Sequence, residues 1–124
     1  MAHINEVIVN YLDAWNERDD GRRREIVAKT WSDGGTYVDP ARHGEGHDKI
    51  SAMIGEAQSH FPGYALCLAS GIQAHNVHVR FTWETVGSAK TPLRIVGTDF
   101  ATLSSDGRLK SVVGFVDAAP APAK

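Results

Sequence analysis

The sequence predicts an α+β fold in which helices pack on one face of an antiparallel sheet. In the first half of the chain, up to Phe61, apolar residues recur at the spacing of helix faces. After Gly63 the pattern changes to runs rich in β-branched and aromatic residues, separated by turn residues. Helices followed by strands, with no internal repeat and no linker, indicate a single domain of this class.

Three amphipathic segments predict the helices. The first is expected over about 3–17, and the charged segment RDDGRRR over 18–24 is expected to connect it to a shorter helix that ends at Trp31. The third begins at His47 or Asp48 and is stopped by Pro62 and Gly63. The residues expected to face inward are Ile4, Val7, Ile8, Tyr11, Leu12 and Trp15, then Ile26, Val27 and Thr30, then Ile50, Met53, Ile54, Ala57 and Phe61.

The strands are predicted from shorter runs. SDGG over 32–35 is expected to be a turn before a strand TYVD over 36–39, which Pro40 ends because proline has no N–H for a ladder. Further strands are expected within 64–70, 74–86, 93–103 and 108–116, with turns at Gly71, at Gly87-Ser88 and at 105–107. The segment AAPAPAK over 118–124 is expected to be a disordered tail, which leaves 1–117 as the domain.

Composition excludes several functional classes. A chain of 124 residues that is 42% hydrophobic can form one compact core and does not resemble a disordered protein. Its 13 Lys and Arg against 15 Asp and Glu give no basic excess for nucleic acid. No apolar run approaches the roughly 20 residues of a membrane span, and the N-terminus has no signal-peptide pattern. With Cys67 as its only cysteine the chain forms no internal disulfide, and we expect a cytoplasmic protein.

Histidines and the cysteine give little indication of metal or nucleophilic chemistry. Glycines separate the first histidine pair, and the second pair, three residues apart on a predicted strand, should point to opposite faces. Cys67 lies in the apolar segment ALCLA, where a buried inert thiol is expected, and GRRRE over 21–25 is expected to be a solvated loop. No phosphate-binding or dinucleotide motif is present, so we expect neither metal nor cofactor. The histidines considered are His43, His47, His75 and His78.

Two aspartates and a tyrosine are more informative. Alternation places Asp99 in a row of apolar residues and glycine, where it must be paired or protonated unless that side faces solvent or another subunit; spacing alone leaves these alternatives open. Asp39, on the same side of its strand as Tyr37, fits either an Asp-Pro turn or a functional acid. Tyr11 fits either a core aromatic or a functional hydroxyl. The row of Asp99 is Leu93, Ile95, Gly97, Ala101 and Leu103.

Three segments together resemble the NTF2-like superfamily, particularly its SnoaL-like and ketosteroid-isomerase-like branches. They are VIVNYLDAWNERD, then WSDGGTYVDP leading to GHDKISAMI, and then GTDFATLSSDGRLKSVVGF. The resemblance covers residues 3–117 and implies a cone-shaped α+β fold, with three N-terminal helices on a curved, mostly antiparallel sheet. It also implies a homodimer formed through the outer side of the sheet, on the face that carries His78, Arg80 and Thr82.

The resemblance further implies an enzyme without a cofactor. Three functional positions of the ketosteroid isomerases fall on Tyr11, Asp39 and Asp99. Asp39 would be the base that moves a proton next to a carbonyl, while Tyr11 and a neutral Asp99 would donate hydrogen bonds to the enolate oxygen. The substrate-binding residues implied are Trp15, Tyr37, Met53, Trp83, Val112 and Val116.

The segment ARHGEGH after Pro40 departs from the isomerases. Arg42, His43 and His47 would form a polar, cationic rim, which favours a small, oxygenated or anionic ketone over a flat steroid. The expected activity is therefore an isomerase or cyclase acting on a small carbonyl compound. The alternatives are a ligand-binding module without catalysis, and a hydrolase or dehydratase in which His43 or His47 shuttles protons.

Overall fold

A computed structural model describes residues 2–87 and 94–118 as three helices on one face of a seven-stranded sheet. The predicted α+β class with a curved, mostly antiparallel sheet is confirmed. The helices are α1 (Ala2–Asn16), α2 (Asp20–Thr30) and α3 (His47–His60). The strands are β1 (Trp31–Val38), β2 (His43–Glu45), β3 (Ala65–Leu68), β4 (Gln73–His75), β5 (His78–Val86), β6 (Val96–Leu103) and β7 (Leu109–Ala118).

Helix α2 begins earlier than the charge pattern predicted. Asp19 adopts an extended conformation, and its side chain accepts the backbone N–H of Arg22, so it caps the helix. The arginine segment is therefore helical, and the prediction of a solvated loop there was wrong. Arg23 is buried, and it donates to Asp20, to the Gln58 side chain and to the carbonyl oxygen of Glu17. Three acceptors compensate for the burial of its charge and join α2 to α3.

Strand β1 is longer than predicted and absorbs the expected turn. The segment SDGG lies inside the strand, where Gly34 has a φ of 72° and the pairing with β7 shifts between Trp31 and Thr36. Glycine in the left-handed region is typical of a bulge, so these turn residues bend the strand without ending it. Trp31 begins β1 and does not belong to the preceding helix. The short strand β2, which pairs with the end of β1, was not predicted.

The sheet has the order β2-β1-β7-β6-β5-β3, and β4 pairs with β5. Only the β1–β7 pair is parallel among the described strands. The single strand predicted over 74–86 is a hairpin that turns at Asn76, where φ is 54°. His75 and His78 are therefore cross-strand partners with ring centroids 5.4 Å apart, and the prediction that they face opposite sides was wrong. The described residues contain no cluster of three or more metal-binding side chains.

The pairing of the central strands decides which way Asp99 faces. Asp99 lies opposite Phe81 of β5 on one side and Gly114 of β7 on the other. Gly97, Asp99 and Ala101 are buried, whereas Phe100 is exposed. The row that contains Asp99 therefore faces the helices. On this inner side Tyr11 of α1 packs edge-on against Phe81, with ring centroids 5.4 Å apart.

The remaining predictions concern the ends of elements and the membrane. Ala118 is the last residue of β7, and the rest of the predicted tail lies outside the described residues, as do Ser88 and Leu93. Cys67 on β3 is a free thiol that is half-buried, not fully buried as expected. None of the described helices has the length and apolar character needed to cross a membrane.

Candidate active site

A cavity of about 260 Å³ opens between α1, the end of α3 and the inner face of the sheet. Its lining is mainly aromatic and aliphatic, and it includes Tyr11, Asp39 and Asp99. Tyr11 comes from the middle of α1, Asp39 follows the last residue of β1, and Asp99 lies in the middle of β6. The volume is slightly below the usual range for small-molecule sites, about 300–1,000 Å³, so the cavity suits a compact ligand.

Asp99 is the deepest polar group of the cavity. The Tyr11 hydroxyl donates to its Oδ2 atom at 2.5 Å, and the indole N–H of Trp83 donates to Oδ1 at 3.0 Å. Burial raises the pKa of Asp99 from an ordinary 3.8 to about 6; the two hydrogen bonds lower it, and the negative charges of Asp39 and Asp117 raise it. A carboxyl group with this pKa gains and loses a proton close to neutrality.

Trp83 reaches Asp99 because the residue between them has no side chain. Trp83 on β5 pairs with Gly97 on β6, two residues before Asp99. A Cβ atom on Gly97 would lie 2.3 Å from Cζ2 of the indole, so any other residue would push the ring away. The resemblance had assigned Trp83 to substrate binding, and its hydrogen bond to the acid was not predicted.

Asp39 has a fixed set of donors at the edge of the cavity. The Tyr37 hydroxyl donates to its Oδ2 atom at 2.7 Å, and the backbone N–H groups of Ala41 and Arg42 donate to Oδ1 at 2.8 Å each. Asp39 therefore forms the Asp-Pro turn and also lines the cavity. Burial, followed by the charge of Asp99, raises the pKa of Tyr37 well above its ordinary value, so its hydroxyl remains a donor.

Gly114 shows how closely the two acids approach each other. It faces Asp99 across the β6–β7 pair. A Cβ atom built on Gly114 would lie 2.9 Å from Asp99 Oδ1, 3.2 Å from the Tyr37 hydroxyl oxygen and 3.3 Å from Asp39 Cβ. A single point next to β7 is thus in contact with both acid–tyrosine pairs. Sequence reasoning missed this residue, although glycine inside a strand often marks such an approach.

Two residues close the far wall of the cavity. The Asn16 side chain exchanges hydrogen bonds with the backbone of Leu66, at 2.9 and 2.8 Å, and so holds β3 against the end of α1. Arg18 donates to the carbonyl oxygen of Gln58 in the last turn of α3 at 3.2 Å and to that of Tyr64 beyond the helix at 2.6 Å. Neither interaction was predicted, because both join segments more than 39 residues apart.

The other predicted site residues divide into two groups. Trp15, Tyr37, Trp83, Val116 and Arg42 line the cavity with the three central residues. Four others lie elsewhere and require correction. Met53 and Val112 face the interior, but they pack within the hydrophobic core and do not line the cavity. His43 is exposed on β2, and His47 uses its Nε2 atom to contact the carbonyl oxygen of Trp31 at 2.8 Å. The predicted rim is thus formed by Arg42 without the histidines.

Comparison with known proteins places this geometry in context. No protein-family model matches the chain, and no curated protein matches it. A proposed isomerase of the SnoaL-like family from Agrobacterium tumefaciens str. C58 has 40% sequence identity and a TM-score of 0.88, over 95% of this chain and 100% of that one.

Two more distant structures share the fold. A proposed SnoaL-like polyketide cyclase from Jannaschia sp. CCS1 has 16% identity and a TM-score of 0.75, over 94% of this chain and 86% of that one. An NTF2-like protein of unknown function from Exiguobacterium sp. 255-15 has 20% identity and a TM-score of 0.72, over 90% of this chain and 98% of that one. At these identities the similarity concerns the fold alone.

Proposed function

Since the chain belongs to the SnoaL-like family, we propose that it is an isomerase or cyclase that moves a proton next to a carbonyl group without a cofactor. One observation carries the proposal. Two carboxyl groups, each accepting a hydrogen bond from a tyrosine hydroxyl, border the same apolar cavity. Their surroundings differ, because Asp99 is 1% exposed whereas Asp39 is half-buried with two backbone donors. Paired acids in unlike environments are suited to separate acid and base roles.

Asp39 is the group suited to be the base. Its Oδ1 atom is bound by two backbone N–H groups, and Tyr37 holds Oδ2 at the cavity wall. Since these donors belong to the turn and to β1, the carboxylate is in position before a ligand enters, and little reorganisation is needed for proton transfer. In its ionised form Asp39 would take a proton from the carbon next to a carbonyl and return it at another carbon.

Tyr11 and Asp99 are suited to stabilise the enolate oxygen. When Asp99 holds a proton, it can donate to the Tyr11 oxygen, 2.5 Å away, and the hydroxyl hydrogen of Tyr11 is then available to the substrate. Burial raises the pKa of Tyr11 well above its ordinary value, so Tyr11 keeps that hydrogen throughout the reaction. The surrounding wall is mainly apolar, and hydrogen bonds to a developing charge are stronger in such surroundings than in water.

Enolate mimics and a reactive ketone test this proposal together. We expect the protein to isomerise an activated β,γ-unsaturated ketone and to bind substituted phenols, which quench the fluorescence of the cavity tryptophans. Tyr11→Phe should weaken phenol binding by about 10-fold or more, because one donor to the oxygen is lost. A parent protein that neither isomerises the ketone nor binds any phenol would contradict the proposal. Phenol binding without turnover would instead favour a ligand-binding module.

We also propose a homodimer that forms through the outer face of the sheet. Phe100 and Phe115 are 40% and 56% exposed, on neighbouring strands of that face. Arg80 pairs with Phe100 across the β5–β6 ladder, which places a polar group beside the aromatic surface. Light scattering at tens of micromolar should give the mass of a dimer, and Phe100→Asp should shift it towards a monomer. A monomeric parent protein would refute this assignment.

A further inference from the structure

Two buried N–H groups on the cavity wall have no hydrogen-bond partner among the described residues. They are Nε1 of Trp15, whose interaction with the Tyr11 hydroxyl lowers the Tyr11 pKa without reaching hydrogen-bond geometry, and Nε of Arg42. The third unpaired buried side-chain atom in this part of the chain, Nδ1 of His78, belongs to the contact between His78 and the exposed Phe100, away from the cavity. Buried polar groups nearly always have partners, so two unpaired donors in one cavity indicate that a ligand supplies the acceptors.

The position of Arg42 is fixed although its charge is not neutralised. Its backbone N–H donates to Asp39 Oδ1, and its carbonyl oxygen accepts the backbone N–H of Asp39, each at 2.8 Å. Its guanidinium nevertheless forms no ion pair with any carboxylate of residues 2–87 and 94–118. A guanidinium is always charged and binds carboxylates through two parallel hydrogen bonds. An anionic ligand group is the natural partner.

We propose that the substrate is a compact oxo acid whose carboxylate binds Arg42. The second oxygen of that carboxylate accepts a hydrogen bond from the indole N–H of Trp15. This assignment rests on the proposed function, since it takes the reacting carbonyl to lie against Tyr11 and Asp99. The cavity of about 260 Å³ limits the ligand to a small molecule. The aromatic ring of Trp15 lies 5.4 Å from that of Tyr37, so its N–H is held on the same wall as the base.

An anion can enter this cavity because the net charge of the cavity side chains can change by one proton. Arg42 offsets one carboxylate, and Asp99, with its pKa of about 6, can take up a proton when a second negative charge arrives. The groups that face Asp99 are Tyr11 from α1, Trp83 from β5, and Tyr37 and Asp39 at the end of β1. Asp117 of β7 accepts a hydrogen bond from Thr98 on the other side of the sheet and acts on Asp99 only through its charge. Since none of these is a cation, binding of the oxo acid should be tighter at pH 5.5 than at pH 8, by about 10-fold.

Matched pairs of ligands test the proposal. Levulinate and its two next longer homologues would each be titrated against the corresponding methyl ester, by calorimetry and by tryptophan fluorescence. The esters keep the carbonyl and the chain but lose the charge. We expect at least one acid to bind about 10-fold tighter than its ester, and Arg42→Gln to remove that preference by weakening the acid alone. Trp15→Phe should weaken the binding of both the acid and the ester several-fold, because it removes an N–H that can donate to a carboxylate oxygen or to an ester oxygen.

The controls separate this proposal from the proposed function. Arg24→Gln removes an exposed arginine of α2 that pairs with Asp48, and it should leave the preference unchanged. Thermal melts would identify variants that fail to fold. Equal binding of acid and ester, a preference that persists in Arg42→Gln, or no binding of any of the acids at millimolar concentration would overturn the oxo-acid assignment. If a neutral ketone is nevertheless isomerised through Asp39, the proposed function stands without it.

Discussion

Replacing Asp39 with asparagine is expected to lower the turnover of a β,γ-unsaturated ketone by about 100-fold to 10,000-fold, the usual contribution of a positioned general base. Asparagine has the same shape, and its oxygen can still accept the N–H groups of Ala41 and Arg42, which bind the carboxylate at 2.8 Å. Its amide N–H₂ would face the Tyr37 hydroxyl, which can accept as well as donate. The turn therefore persists, and only the ability to take a proton is lost.

The measurement is kcat/KM, with the thermal midpoint of unfolding as a check on the fold. Asp13→Asn is the matched control, because Asp13 is an exposed carboxylate on α1 that lies outside the cavity lining. We expect the control to retain full turnover. Activity of Asp39→Asn within about 10-fold of the parent would mean that another group is the base. Asp99, the second acid of the cavity, would then be the next candidate.

The change of period along the chain was sufficient to predict the fold class. Helical spacing up to Phe61 and strand-like runs after Gly63 reflect which faces of the helices and of the sheet are buried against each other. Periodicity could not decide which side of β6 faces the core, because both sides carry apolar residues. The structure places Asp99 inside through its pairing with Phe81 and Gly114, a non-local fact that no short window contains.

Of the residues that the sequence predicted for the candidate site, some line the cavity and others lie elsewhere. The convergence of Tyr11, Asp39 and Asp99 came from a family resemblance, since these residues are far apart in sequence and spacing gave each of them two interpretations. Met53 and Val112 were assigned to the cavity by the same resemblance, which identifies an inward face but not whether that face meets the core or the cavity. Depth along a curved sheet depends on how the helices sit on it.

Local chemistry explains the other differences. A single capping aspartate, Asp19, extends α2 through a segment whose charge pattern predicted a loop. Likewise, the left-handed conformation of Asn76 turns one predicted strand into the β4–β5 hairpin and reverses the argument about His75 and His78. Such effects depend on one side chain or one φ angle, whereas patterns average over many residues.

Between pH 4 and pH 8 the parent is expected to lose about 2 kcal/mol of its free energy of unfolding through Asp99, and replacing Asp99 with asparagine is expected to remove that loss. Burial raises the pKa of Asp99 from 3.8 to about 6 in the folded state. Below pH 3.8 the carboxyl is protonated in both states and contributes nothing. As pH rises from 3.8 to 6, the unfolded state loses the proton first, so the parent loses stability. Above pH 6 the loss is complete, whereas asparagine does not titrate.

Urea denaturation of the parent and of Asp99→Asn at pH 4 and pH 8 measures this difference, and Asp13→Asn serves as the exposed control. Asparagine can still accept from Trp83 and donate to the Tyr11 oxygen, so the cavity keeps its shape. Turnover should fall only modestly, because the amide N–H replaces the carboxyl O–H as a weaker donor to the Tyr11 oxygen. We expect kcat/KM of the parent to decline above pH 6 as Asp99 loses its proton, and that decline should be absent in Asp99→Asn. A stability difference independent of pH would mean that Tyr11 and Trp83 fully compensate for burial of the charge. Greater stability with lower activity would instead identify Asp99 as an acid kept buried for its chemistry.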